Sequence, residues 1–145
     1  MHTVYLGLGS NLGDRNEKLE HAIELIGERV GSVLRRSTFI ETAPWGFESP
    51  NRFLNAVIMC ETEKTPREVL LLTQQIERDL GRHNKTAVRP NAEEKAVRQY
   101  ADRPIDIDIL LYDDVHVDEV DLKIPHPLMH ERDFVMIPFE EITNH

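Results

Sequence analysis

Phe53-Leu54-Asn55-Ala56-Val57-Ile58-Met59-Cys60-Glu61-Thr62, followed after two residues by Thr65-Pro66-Arg67-Glu68, joins a strand signal to a helix start. The first part is rich in apolar and β-branched side chains and free of Gly and Pro, which predicts a strand. The second places a capping threonine, a proline at the first helical position and a glutamate three residues on, the signature of a helix start. Val69, Leu72, Thr73, Ile76 and Leu80 then form a buried stripe at helical spacing, and Gly81 supplies the stop. A sheet and at least one helix must therefore pack on each other.

Towards the N-terminus, the apolar run His2 to Leu8 reads as a buried strand entering a turn at Gly9-Ser10-Asn11. Leu19, Ala22, Ile23, Ile26 and Val30 then recur with helical period, with Glu17, Lys18, Glu20, Glu24 and Glu28 elsewhere around the wheel. Val33 to Glu41 reads as a strand and Thr42 to Pro50 as a loop. Beyond the second helix, His83 to Asp102 is too long and too charged for an ordinary connection, and such loops are usually functional or mobile. Pro104 to Tyr112 predicts a fourth strand, Asp113-Asp114 a turn, Val115 to Ile124 further short strands, and Leu128 to Asp133 a last short helix. The order β-α-β-β-α-β predicts an α+β fold: a ferredoxin-like α/β sandwich with a mainly antiparallel sheet and a C-terminal extension. Residues 1–145 read as one domain, long enough to bury a core, without an internal repeat.

With 40% hydrophobic and 30% charged residues the composition is that of an ordered chain. No apolar run approaches the roughly 18 residues of a membrane span, and no basic-then-apolar signal opens the chain, so a cytoplasmic protein without membrane association is expected. The one cysteine, Cys60, can form neither an internal disulfide nor a thiolate metal site. Lys+Arg 17 against Asp+Glu 26 gives a net charge of −9, which argues against a general nucleic-acid binder. That average hides a division. From Arg82 to Arg103 six basic residues face three acidic ones, a local balance of +3, and the acidic run Asp106, Asp108, Asp113, Asp114, Asp118, Glu119 and Asp121 follows at once. Either both are solvated surface runs, or they are the parts of a metal-bridged polyanion site, cations for phosphate oxygens and carboxylates for Mg²⁺.

Two phosphate-binding motifs are excluded. Gly7-Leu8-Gly9-Ser10-Asn11-Leu12-Gly13 carries its last glycine one residue too late for a dinucleotide fingerprint, and no GxxxxGK[ST] is present. Gly7, Gly9 and Gly13 read as a tight strand-to-helix turn. In Arg103-Pro104-Ile105-Asp106-Ile107-Asp108-Ile109-Leu110, alternation points the isoleucines one way and Asp106 and Asp108 the other. Two like charges on one strand face repel unless a divalent cation, for which all-oxygen donors suit Mg²⁺, removes the cost; the other reading is a solvent-facing strand edge. Phe53, Asn55, Val57 and Met59 also share a face, so an amide sits among apolar neighbours. It either ties down a loop or meets a flat heterocycle with adjacent donors and acceptors. Gln74 and Glu77 lie beside the buried stripe of the second helix, Arg82 just beyond it, and His126 is held between two prolines ahead of Arg132.

Taken together, Leu6-Gly7-Leu8-Gly9-Ser10-Asn11-Leu12-Gly13-Asp14, Phe53-Leu54-Asn55-Ala56-Val57, Gln74-Gln75-Ile76-Glu77 with Gly81-Arg82, Arg103 to Leu110, and Ile124-Pro125-His126-Pro127 with Glu131-Arg132-Asp133-Phe134 resemble the 6-hydroxymethyl-7,8-dihydropterin pyrophosphokinase family over nearly the whole chain. The resemblance implies a folate-pathway enzyme that moves diphosphate from MgATP to the hydroxymethyl group of 6-hydroxymethyl-7,8-dihydropterin and releases AMP. It implies that Asp106 and Asp108 hold two Mg²⁺ ions, that Thr42, Ala43 and Trp45 line the pterin pocket, that Asn55 hydrogen-bonds the ring, and that Phe53 and Phe134 sandwich it. It further implies that Gln74 and Glu77 reach the nucleotide, that Ile109 packs near the adenine, and that Arg82, Arg103, His126 and Arg132 contact phosphates. Arg82, Arg103, Asp106 and Asp108 would be the catalytic set, in a chain expected to act as a monomer.

The chain departs from the family pattern in its long loop. Asn84 stands where an arginine is common, leaving Lys85, Arg89 or Arg98 to substitute; Tyr100 replaces a tryptophan, and Ala101-Asp102 replaces Gly-Pro. Asp121 and Lys123 stand where some members carry basic or hydroxyl groups, which leaves Asp121 without a phosphate role. Two other functions fit parts of the pattern. A metal-dependent phosphoryl or nucleotidyl transferase with another acceptor would use the carboxylates but not the pocket, and a non-enzymatic ferredoxin-like heterocycle-binding module would use Asn55 and the aromatics but not the carboxylates.

Overall fold

Apolar alternation builds the sheet that carries everything else. The computed structural model describes residues 1–42, 52–81 and 104–143. Ala43, Trp45, Arg82, Arg103 and the loop residues Asn84, Lys85, Arg89 and Arg98 lie outside them. The elements are β1 (His2–Ser10), α1 (Arg15–Arg29), β2 (Ser32–Arg36), β3 (Ile40–Thr42), β4 (Phe53–Thr62), α2 (Pro66–Asp79), β5 (Asp106–Tyr112), β6 (Val117–Asp118), β7 (Lys123–Ile124) and, after a 3-10 turn at Met129–Glu131, α3 (Asp133–Thr143). The main sheet runs β2-β4-β1-β5, with β3 pairing β4 beyond β2, and every pairing in it is antiparallel. Because β1 and β2 both run against β4, they are parallel to each other and joined through α1, the split β-α-β arrangement of a ferredoxin-like sandwich.

Both long helices start where the sequence places a cap. Asp14 accepts a hydrogen bond from the Glu17 amide at 3.1 Å after Gly13 turns the chain at φ +71°. Thr65 and Glu68 form a reciprocal capping box, and Gly81 adopts φ +126° just past the end of α2. One sheet face packs on these helices through Val4, Leu6, Leu8, Ala56, Ile58, Ile105, Ile107 and Ile109 against Leu19, Ile26, Val69 and Ile76. The other face meets α3, with Val57 and Leu110 against Met129, Val135 and Ile142. Between β1 and β5 the register shifts, so that Leu6 pairs Ile109 while Tyr5 pairs Leu111. Leu110 is the extra residue of a β-bulge. Leu110 and Leu111 consequently both pack on the α3 side.

Three local expectations are corrected. Val33 to Glu41 is not one strand: at Ser37 the chain leaves the ladder, the Ser37 amide donating to Val57 O and the Val57 amide donating to Ser37 Oγ, both at 2.9 Å. Thr38 then turns to the Glu141 carboxylate. The short helix expected at Leu128 to Asp133 is a 3-10 turn at Met129–Glu131, and it is not the last: an α-helix from Asp133 to Thr143 follows, with Pro138 inside it. Gly7 and Gly9 belong to β1, and only Gly13 lies in the turn.

Candidate active site

The site is assembled by register. Gly9 pairs Asn55 on β4 and Asp106 on β5, while Gly7 pairs Val57 and Asp108. Side chains two apart on a strand share a face, so Asn55, Gly9 and Asp106 form one row across three strands, and Val57, Gly7 and Asp108 the next. Val57 packs in the α3-side cluster, which places both rows on the face away from α1 and α2.

Asn55 is buried at 4% exposure, and its Nδ2 donates to Thr42 Oγ1 at 2.7 Å. The Asn55 carbonyl and the Phe53 ring lie against Gly9: a Cβ placed there would stand 2.9 Å from Asn55 Oδ1 and 3.4 Å from Phe53 Cδ1. Thr42, Phe53 and Asn55, expected together at the pterin, are thus neighbours.

Asp106 and Asp108 are half-buried on the same face. His126, in the segment after the cis Ile124–Pro125 bond, interacts electrostatically with Asp106. Its amide donates to Leu110 O at 2.9 Å, and its Nδ1 accepts the Leu128 amide at 3.2 Å. With Nδ1 accepting, the proton of the neutral ring sits on Nε2. Burial first, and the charge of Arg132 second, push the His126 pKa down, while Asp106 pulls it the other way. Arg132 is buried at 9% exposure with its guanidinium 5.5 Å from the centroid of the Phe134 ring. Asp106, His126, Arg132 and Phe134 therefore form a connected group.

The two helix residues behave differently. Glu77 is buried, and its Oε2 accepts the Ile107 amide at 2.7 Å. β5 is the edge of the sheet, so Glu77 supplies to Ile107 the acceptor that a further strand would supply. Gln74 is half-buried on α2. Ile109 lies in the helix-side core at 6% exposure, on the face opposite Asp106 and Asp108, so its side chain is turned away from the row that carries the carboxylates. Asp121 has a structural partner, Arg67, which it meets at 2.8 Å and which also pairs with Glu119.

Gly9 is the residue that motif reading misplaced. Its signal is a glycine two positions from another inside an apolar strand, which marks a close approach rather than a turn. As for a metal, Asp106 and Asp108 offer oxygen donors only, and among the described residues no group of three or more His, Cys, Asp or Glu forms a complete ligand set. Such a pair fits Mg²⁺, which is usually bound by one or two carboxylates together with waters and phosphate oxygens.

A family profile described as 7,8-dihydro-6-hydroxymethylpterin-pyrophosphokinase (HPPK) matches residues 5–144. The 2-amino-4-hydroxy-6-hydroxymethyldihydropteridine pyrophosphokinase of Porphyromonas gingivalis is 49% identical over 99% of this chain and 92% of its own length. The enzyme of the same name from Aquifex aeolicus is 41% identical over 98% of this chain and 81% of its own. A crystal structure of Plasmodium falciparum HPPK-DHPS superposes with a TM-score of 0.73 at 15% identity, covering 97% of this chain and 41% of that one. The last speaks for the fold alone, and this chain spans about two fifths of that longer protein. Profile and relatives cover the strands, helices and motif positions from which the site is built, and the chain belongs to the 7,8-dihydro-6-hydroxymethylpterin-pyrophosphokinase family.

Proposed function

We propose that this protein transfers the diphosphate of MgATP to the hydroxymethyl group of 6-hydroxymethyl-7,8-dihydropterin and releases AMP, a step of folate biosynthesis. The observation that carries this is the row Asn55–Gly9–Asp106. It sets an amide for a heterocycle and a carboxylate for a metal-bound phosphate on one sheet face, two strand spacings or about 10 Å apart.

In this reading Asn55, oriented by Thr42, hydrogen-bonds the pterin, and Phe53 and Phe134 lie against its faces, giving affinity by stacking and specificity by the amide. Ala43 and Trp45 complete that side. Asp106 and Asp108 would hold two Mg²⁺ ions, which when bound neutralise charge on the phosphates and help align them. His126, neutral with its proton on Nε2, donates a hydrogen bond, and Arg132, Arg82 and Arg103 offer cations to phosphate oxygens. Gln74 and Glu77 face the nucleotide side, and Ile109 offers it main chain only, because its side chain is in the core. The pterin hydroxyl attacks the β-phosphorus in line; the new C–O–P bond forms, the bond to the α-phosphate oxygen breaks, AMP departs and the hydroxyl proton is released. All groups come from one chain, so the proposal is for a monomer acting in the cytoplasm without nucleic-acid or membrane partners.

Incubating the chain with MgATP and 6-hydroxymethyl-7,8-dihydropterin and following AMP tests this directly. Pterin-dependent AMP is expected. Folded protein that yields none refutes the proposal; AMP with another acceptor would support a different phosphoryl or nucleotidyl transferase, and pterin binding without turnover a heterocycle-binding module.

A further inference from the structure

Gly9 lies inside β1 at an ordinary strand conformation, since the positive-φ glycines among the described residues are Gly13 and Gly81. Glycine in a strand interior lowers stability through lost backbone entropy and the absence of a side chain to pack, so its presence calls for a reason other than backbone geometry. Its neighbour in the same face, Gly7, does not show one: a Cβ there would meet the Leu110 side chain at 3.4 Å, an ordinary contact with a movable group. At Gly9 the contact would be 2.9 Å to Asn55 Oδ1, closer than packed atoms sit, with the Phe53 ring 3.4 Å away on the same side. Nor can the amide simply swing clear. Asn55 is buried at 4% exposure and held at its other end by the 2.7 Å hydrogen bond to Thr42 Oγ1, so moving Oδ1 strains or breaks that bond.

We infer that Gly9 is a positioning residue of the pterin site: its missing side chain is what allows the Asn55 carbonyl to lie against β1, and so sets where the amide meets the heterocycle. The inference rests on the pterin assignment proposed above and adds to it a residue that acts through Asn55. The effect is one-sided. The closest neighbours of a methyl at Gly9 all belong to β4, on the pterin side, although Gly9 is paired with Asp106 on its other flank. A methyl at this position therefore disturbs the recognition of the ring and spares the phosphate side.

The test uses the full chain as wild type, Gly9→Ala, Asn55→Ala and the double variant. The pterin KM is read from pterin-dependent AMP formation, and binding of α,β-methylene ATP with Mg²⁺ by calorimetry. Displacing one specific hydrogen bond predicts a pterin KM raised about tenfold in Gly9→Ala, with affinity for the nucleotide analogue within about twofold of wild type. Asn55→Ala should show a similar loss, and adding Gly9→Ala to it should cost little more, because the methyl then has no amide to displace. A wild-type pterin KM in Gly9→Ala, an equal loss of nucleotide affinity, or losses that multiply in the double variant would each overturn the inference. Should Gly9→Ala alone fail to fold, the double variant decides: folded protein with the kinetics of Asn55→Ala supports the positioning role, and unfolded protein refutes it. Wild-type protein without pterin-dependent AMP would instead overturn the function on which the inference rests.

Discussion

Replacing Glu77 by alanine separates two roles for this carboxylate. As a nucleotide ligand it would be dispensable to the fold; as the acceptor of the Ile107 amide it holds the edge strand on which both aspartates stand. The bond is 2.7 Å long and buried, of a kind worth about 0.5–1.5 kcal/mol net. Ile107 is itself 6% exposed, so water is poorly placed to replace the lost acceptor, and an unmet buried amide adds to the cost. A total of about 2–4 kcal/mol against an unfolding entropy of about 0.3 kcal/mol/K for a chain of this size lowers Tm by about 7–13 °C. Glu77→Gln keeps an acceptor in place and should lose less than half as much. Because Ile107 lies between Asp106 and Asp108, Glu77→Ala should also lower kcat, while the pterin KM stays close to wild type. Calorimetric melting together with steady-state kinetics in both substrates reads all of this. A variant that melts within about 1 °C of wild type and loses only ATP affinity would refute the strand-capping role, since leaving a buried amide without its acceptor cannot be that cheap.

Asp106→Ala or Asp108→Ala should lower kcat about a thousandfold or more while Tm moves by no more than about 2 °C, because removing a half-buried carboxylate from the sheet face costs no core packing; melting and AMP assays check both. Thr42→Val removes the acceptor of Asn55 Nδ2 and should raise the pterin KM about fivefold at unchanged ATP KM, as measured by the same assay. Asp113 has its pKa held low by the Thr3 amide and then by His2, so its stabilising contribution is complete above the ordinary carboxylate range and is lost as pH falls through the lowered value. Asp113→Asn keeps an acceptor for Thr3 and tolerates φ 49°, so urea unfolding followed from pH 5 to below about pH 4 should show a shallower loss of stability in the variant than in wild type.

The sequence makes local structure legible where a local cause exists. The capping box at Thr65 and Glu68, the stops at Gly81 and Gly13, and the extent of β4 from Phe53 to Thr62 follow from residues adjacent in the chain. The face-sharing of Asp106 with Asp108, and of Phe53 with Asn55, follows from alternation alone. What alternation leaves undetermined is register. That Asn55, Gly9 and Asp106 form one row depends on two pairings between segments tens of residues apart. The Leu110 bulge, which lets the aspartates face the site while Leu110 and Leu111 both pack under α3, is equally a product of pairing. The break at Ser37 is hidden because a serine hydroxyl takes over a ladder bond, and α3 because Pro138 interrupts an otherwise helical run. The hydrogen bond of Glu77 to the Ile107 amide and the burial of the Ile109 side chain are hidden for the same reason: which edge and which face they meet is fixed by packing.

The acidic run after the second helix sorts itself by what each carboxylate faces. Asp113 closes onto Thr3 and His2, Asp118 pairs Lys123 at 2.6 Å, and Glu119 and Asp121 pair Arg67. The pKa values of Asp113, Asp118 and Asp121 are lowered by these partners, so their charge is spent on holding the β6–β7 hairpin and the N-terminus. Asp106 and Asp108 differ in being carried on the sheet face by β5, Asp106 near His126 and across Gly9 from Asn55, Asp108 across Gly7 from Val57. α3 covers the part of that face around Val57 and Leu110, which leaves the row at Gly9 to Asn55, Phe53 and Asp106. The basic segment from Arg82 to Arg103 runs directly into this strand, with Arg103 three residues from Asp106. In the sequence the carboxylate pair is thus preceded by a segment of +3, while Asp113, Asp118, Glu119 and Asp121 of the acidic run are engaged by His2, Lys123 and Arg67.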